Sequence, residues 1–494
     1  MSPHTLGIYF SDVFDVSPEV IDEYGAFNIS LINDLPLFVD PFLLFNSDKP
    51  EYQQLHEQMI RYVRFLRDKA VEGAVNDGLL EAWFTFREVK QNWLGFSKSG
   101  NSGSGLGRDF ARALRANLHS VFSSFGNENI TKGSHLEKLC LIRGGVGRDN
   151  ISDFCTTLVK QHLLEYTQTF ARQQIHPKLR KEFIVEKVVF NYETQSWHRG
   201  RYELPAYGRD FVILTPKDIL TRDETWINRP DLINQFDEIT ASLPDESLRA
   251  LVNNHFLRQL TRDAKEKDRR EAKANTVQHF PELIEHYIRK KEDEGDKAES
   301  ISNEKVRETE ELFGQQVREL VVLLRHNTEF YDRVGDTYTE ARKRVLFLKD
   351  VIENKDGYRL FYLKGKPVRK EQDLQILYRL TWFATPSDVN REVNNGRGPV
   401  DFKVSRGRRD AVLVECKLAS NSKLKSNLQN QVEVYQKAND APEPRAIKVI
   451  LFFSADEEAR VLRILDELKL RESQDLILID ARNDNKPSGS NVVQ

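Results

Sequence analysis

From about residue 356 onward the spacing of apolar positions changes repeatedly, and each change predicts a new element. Across 370–383 (KEQDLQILYRLTWF), Leu374, Leu377, Tyr378 and Thr381 recur at helical spacing, with Glu371 one turn before Leu374 on the same stripe. Short runs at 390–394, 400–404 and 411–418, separated by glycine and basic turn residues, predict three strands. A second helix is expected over 424–438, where Leu424, Leu428, Gln431 and Tyr435 share one face, so that Gln431 is a polar residue on the packing side. A strand (446–453), a helix (455–470) and a last strand (475–480) follow. The order α-β-β-β-α-β-α-β builds a small mixed sheet covered by helices on both faces, an α/β core.

The first half of the chain alternates in the same manner. Strands are expected at 6–10 (LGIYF), 35–40 (LPLFVD), 183–190 (FIVEKVVF) and 210–215 (DFVILT), and helices over 53–75, 108–122 and 152–173. Between about 245 and 351 the composition shifts. Segments 261–274 and 289–300 are dense in charges of both signs, the pattern of solvated helix faces. Further on, Val306, Leu312, Val317, Leu320, Val321 and Leu324 supply apolar spacing for a packed helix. Three regions result: an α/β domain over 1–245, for which a sensing or regulatory role is expected by analogy of architecture alone, a charged helical connector over 246–355, and a second α/β domain over 356–494.

At 494 residues the chain is long enough for two or three domains. Its net charge of −3 excludes a globally basic protein, so any nucleic-acid affinity must be local. Cys140, Cys155 and Cys416 are far apart, without metal-ligand spacing, which argues against a zinc site or a disulfide framework. No basic start followed by an apolar run suggests a secretory signal, and no apolar stretch approaches the roughly 20 residues of a membrane span. A cytoplasmic protein with no membrane partner is expected.

Candidate chemistry concentrates in GRGPVDFKVSRGRRDAVLVECK (396–417). Strand residues two apart share a face, so Glu415 and Lys417 lie together while Val412, Val414 and Cys416 point the other way. Asp401, on the neighbouring strand, can meet them. Two carboxylates and an ammonium on one patch are costly unless a divalent cation neutralises the acids. Glu-x-Lys also occurs at Glu88, Glu271, Glu353 and Glu467, but only Glu415 follows an apolar, β-branched run with an Asp strand just upstream. Basic residues flank this patch: Arg397, Lys403, Arg406, Arg408, Arg409, Lys423 and Lys425. They form either a phosphate track for nucleic acid or an ordinary solvated turn.

These residues resemble the PD-(D/E)xK nuclease superfamily, the restriction-endonuclease-like fold, over roughly residues 356–494. Asp401 matches the PD acid, Glu415 and Lys417 the ExK, Glu371 the acid on the preceding helix, and Gln431 the polar position on the following one. Pro399 departs slightly, standing two residues before Asp401. The resemblance implies Mg²⁺, with Mn²⁺ able to substitute, bound by Asp401, Glu415, the backbone carbonyl of Cys416 and Glu371. Glu392 competes for the Glu371 role. Gln431 contacts the Lys417 region or DNA, or is a packing residue.

The resulting expectation is a Mg²⁺-dependent DNA endonuclease, with a place in bacterial anti-phage defence or restriction by analogy of architecture. A repair or recombination nuclease for branched or single-stranded DNA, an RNA nuclease, and a non-catalytic nucleic-acid binder remain alternatives. A homodimer or higher oligomer and a regulatory partner or ligand at the N-terminal domain are compatible with this reading.

Three other patches invite a reading. Segment 97–107 (SKSGNSGSGLG) lacks a P-loop ending and is expected to be a surface loop. In 144–154, Ser152 or Asp153 is expected to cap the following helix, with a pair of acids at Asp149 and Asp153 as the functional alternative. Segment 203–220, with Asp210 and Lys217, is expected to be a structural strand and turn.

Overall fold

The computed structural model describes all residues except 1–6, 74, 87, 96–106, 121–124, 126–127, 142–147, 223, 262, 327–334, 381, 383–387, 392–401, 407–409, 430–444 and 487–494. Its architecture is mixed α/β. In the N-terminal half, β1 (Leu37–Val39) is a short buried strand. A long hairpin, β2 (Arg180–Asn191) and β3 (Ser196–Tyr207), is extended by β4 (Asp210–Phe211), while β5 (Leu220–Arg222) returns to pair antiparallel with β1. The hairpin turns because Asn191 Oδ1 accepts the amides of Glu193 and Thr194, at 2.8 and 3.0 Å, an Asx turn.

Several expected elements of this half are corrected. Segment 6–10 is not a strand: Tyr9 makes an isolated bridge to Ser30, and a helix starts at Phe10. The Asp12 carboxylate accepts the amides of Ile8 and Tyr9, the groups that a strand ladder would use. In 210–215 the strand stops at Phe211. The amides beyond it find other acceptors: Pro205 O for Val212, Gln91 O for Ile213 and Thr167 Oγ1 for Leu214. The helix expected over 152–173 is two helices, Arg148–Leu158 and Lys160–Gln174, hinged at Val159. Ser152 and Asp153 therefore lie inside a helix and cap nothing; Ser152 Oγ instead accepts the amide of Val39. Lys217 pairs with Asp22 and Glu310, a structural role. Residues 97–106 lie outside the described residues.

Helices dominate 246–354. Gly295–Glu310 packs on β5, continues into a π-helical stretch (Glu311–Gln316) and then into Val317–His326. Thr337–Asn354 packs on the C-terminal sheet. A tight hairpin follows, β6 (Tyr362–Leu363) and β7 (Lys366–Pro367), turning through Lys364 and Gly365 at φ of +49° and +73°.

The C-terminal sheet comprises β8 (Asp388–Arg391), β9 (Phe402–Arg406), β10 (Asp410–Leu418), β11 (Arg445–Phe452) and β12 (Leu476–Asp480), in spatial order β12-β11-β10-β9-β8. The first three strands run antiparallel and the last three parallel. Val412, Val414, Cys416 and Leu418, with Val449 and Ile477, join the core under helices Thr337–Asn354 and Glu371–Leu380. Ile450, Phe452 and Leu478 on the other face pack with Leu424, Leu428, Val461 and Leu465, the last two from helix Ala455–Glu467. Among the described residues no helix is long and apolar enough to cross a membrane.

Candidate active site at the end of strand β10

The alternation of β10 decides what the site can contain. From Val412 to Leu418 its even-numbered side chains are buried under the two helices, and Cys416 is 1% exposed there. The Cys416 thiol is thus turned away from Glu415, leaving its backbone carbonyl as the group a cation could use. Glu415 and Lys417 occupy the opposite face. Parallel pairing sets Lys448 of β11 directly beside Glu415, and Ile450 beside Lys417.

Lys448 is a site residue that the sequence reading missed. It and Glu415 are both buried, at 8% exposure each. Burial pulls the Lys448 ammonium down to about 8; the Glu415 carboxylate opposes that shift and the Lys417 charge adds to it. The available signal was a lone cation inside the apolar run AIKVILFF.

Glu371 is the first residue of helix Glu371–Leu380 and reaches the C-terminal end of β10. Its Oε2 lies 3.6 Å from Lys417 Nζ. Its Oε1 accepts from Asn421 Nδ2 at 2.5 Å and from the amide of Leu418 at 3.4 Å. Arg460 holds the same turn by donating to the carbonyls of Ala419 and Asn421, at 3.1 and 2.8 Å. Glu371 therefore ties Lys417 to the 418–421 turn, and Asn421 and Arg460 join the site as supports that sequence reasoning did not name. Both are ordinary polar residues whose roles depend on contacts distant in sequence.

Asp401, Gln431, Glu392, Arg397, Arg408 and Arg409 lie outside the described residues, as does the side chain of Lys403. At its described start, β9 pairs Phe402 with Val414, one residue before Glu415. Arg406 already has partners within the fold: its guanidinium engages the buried Glu340 and the carbonyl of Gly335, and its side chain is only 12% exposed. It braces helix Thr337–Asn354 against β9. Lys425 pairs with Glu467 at 2.6 Å, and Lys423 stands exposed at the start of the helix over 424–429.

Among the described residues no cluster of three or more His, Cys, Asp and Glu side chains forms a metal site. The described oxygen donors at this end of β10 are the Glu415 carboxylate and backbone carbonyls, with the thiol turned away, a set that suits a hard cation such as Mg²⁺. Glu371 already accepts from two groups and faces the Lys417 ammonium, so it fits a positioning role beside that donor set.

Two family models match the chain. Residues 15–228 are similar to a domain of unknown function (DUF8370), and residues 337–455 to a second domain of unknown function (DUF8371). The latter span contains Glu371, Glu415, Lys417 and Lys448. No curated protein and no solved structure matches the chain.

Proposed function

We propose that this protein is a metal-dependent endonuclease that hydrolyses DNA phosphodiester bonds at the end of β10. The observation that carries this reading is the charged constellation in the C-terminal sheet. Glu415, Lys417 and Lys448 share one face, and Glu371 steadies Lys417 from a neighbouring helix. The strand order, an antiparallel β8-β9-β10 followed by parallel β11 and β12, also supports the resemblance to the PD-(D/E)xK superfamily.

Lys417 orients the attacking water and offsets charge at the phosphate, while Glu371, itself held by Asn421, faces its ammonium. Water oxygen bonds to phosphorus and gives up a proton to solvent, the bond to the leaving deoxyribose oxygen breaks, and that oxygen takes a proton from solvent. Mg²⁺ bound by Asp401, Glu415 and the Cys416 carbonyl would supply an acidified water and positive charge at the phosphate. Lys448 neutralises Glu415 within the fold, and Lys423 offers an exposed cation for the nucleic-acid backbone. A role in anti-phage defence or restriction is the biological setting proposed for this activity.

A substrate panel tests the reading: supercoiled plasmid, single-stranded DNA, a branched junction and RNA, each with Mg²⁺, Mn²⁺ or EDTA. Metal-dependent nicking or linearisation of plasmid is expected. Preference for the junction or single strand would move the assignment to repair, and cleavage of RNA alone would replace the substrate. Binding without cleavage in every metal would reject the enzyme.

A further inference from the structure

Arg222 closes β5 in the N-terminal half, yet its guanidinium meets the carboxylate of Asp373 in helix Glu371–Leu380. The two side chains are 6% and 9% exposed. Arg222 is itself well fixed. Its strand pairs with Leu37, its carbonyl accepts from Lys305 Nζ at 3.3 Å, and its guanidinium carbon lies 5.7 Å from the centre of the Phe313 ring. Phe313 belongs to the π-helical stretch that ends the Gly295–Glu310 helix.

Asp373 and Glu371 are two residues apart in the first turn of one helix. Successive helical residues rotate by about 100°, so these two carboxylates leave the turn on nearly opposite sides. One points to Lys417 and the 418–421 turn, the other to the N-terminal half. A displacement of this turn toward or away from β5 must carry Glu371 with it, and with Glu371 the support of Lys417.

We propose that Arg222 is a positioning residue for the candidate active site: its pairing with Asp373 lets the N-terminal half fix the first turn of the Glu371 helix and thereby the placement of Lys417. The effect on rate rests on the nuclease reading above; the effect on the helix does not. An apolar pair would fill the same buried space without imposing direction, whereas a planar guanidinium fork accepts a carboxylate from a narrow range of positions.

The test uses the full chain with Arg222→Met, Asp373→Leu, the double variant, and Arg222→Lys. Each single apolar change removes one member of a buried ion pair and can unfold the protein; the double change removes both charges, and such exchanges are commonly tolerated. Amide hydrogen exchange is followed over 371–380, with 445–452 as the internal reference. In the double variant, with its melting transition retained, exchange over 371–380 is expected to accelerate about tenfold while the reference keeps its protection, and plasmid turnover to fall roughly tenfold at unchanged KM. Arg222→Lys, which keeps the charge and loses the fork, should accelerate the same segment less. Unchanged protection of 371–380 in both variants would overturn the proposal. If the wild type cleaves nothing, the nuclease reading fails, and the exchange rates still decide whether Arg222 holds the helix.

Discussion

Glu415 and Lys448 lie side by side across the parallel ladder between β10 and β11, both buried, one an acid and the other a base. An isolated charge at either position would be strongly disfavoured, and the pair keeps both groups tolerable in a sheet whose neighbouring side chains are mostly apolar. Lys448→Met should therefore lower stability by about 1 kcal/mol, since it removes one of the positive charges that attract the Glu415 carboxylate. Adding Glu415→Gln should restore much of the loss. Urea titrations of the two variants check this, and an unchanged midpoint in Lys448→Met would show that the two charges do not depend on each other.

Glu371 touches Lys417, Leu418 and Asn421 at once, so its charge and its shape can be separated. Glu371→Gln keeps an oxygen for Asn421 and Leu418 but loses the attraction for Lys417. Plasmid turnover should fall roughly tenfold with little change in stability, the pattern of a lost transition-state contact. Glu371→Ala should lose more, because the 418–421 turn is released as well. Steady-state cleavage and melting measured on the same samples distinguish the two effects.

The two basic residues on either side of the site should behave differently. Arg406→Ala leaves Glu340, 1% exposed, with a missing partner and should lower stability while sparing DNA affinity. Lys423→Ala should leave stability unchanged, weaken DNA binding, and reduce the slope of log affinity against log salt by about one. Binding isotherms at several salt concentrations give both numbers.

In the N-terminal half, Asp40 accepts the amides of Phe42 and Trp226 from a fully buried position. Burial raises its carboxyl to about 6 in spite of those two donors. A raised acid favours the fold most where it is protonated in both states, and that contribution is lost as pH rises through the folded value. Between about pH 4 and 6 the wild type should lose stability relative to an Asp40→Asn variant, by about 1 kcal/mol or more. Denaturant midpoints of both proteins across that window provide the check.

Parts of this architecture were legible because local patterns determine them. The alternation in AVLVECKL places Cys416 in the core and Glu415 with Lys417 opposite, whatever surrounds the strand. The stripe through Leu374 and Leu377 marks the helix that carries Glu371. Continuous apolar runs misled. In 8–10 and 211–215 every residue is buried regardless of secondary structure, and what decides between ladder and loop is where the amides go. Asp12, Gln91 and Thr167 take them here, contacts that no local window contains.

The site divides in the same way. The spacing of Glu415 and Lys417 announces shared direction, whereas Lys448 becomes a site residue only through the register of β11 against β10. Arg406 reads as a phosphate contact from its basic neighbours, and no local window shows its partner Glu340, 66 residues earlier in the chain. Arg222 and Asp373, 151 residues apart, carry no sequence signal of their pairing.

The central claim is that Lys417 and the acids beside it form a hydrolytic site. Its most direct test is cleavage of supercoiled plasmid by the full-length protein in Mg²⁺, comparing wild type with Lys417→Ala and Asp401→Ala. The account predicts nicking or linearisation by the wild type that EDTA abolishes and that both variants lose while keeping the wild-type melting temperature. Cleavage that persists in the folded Lys417→Ala and Asp401→Ala proteins would contradict it.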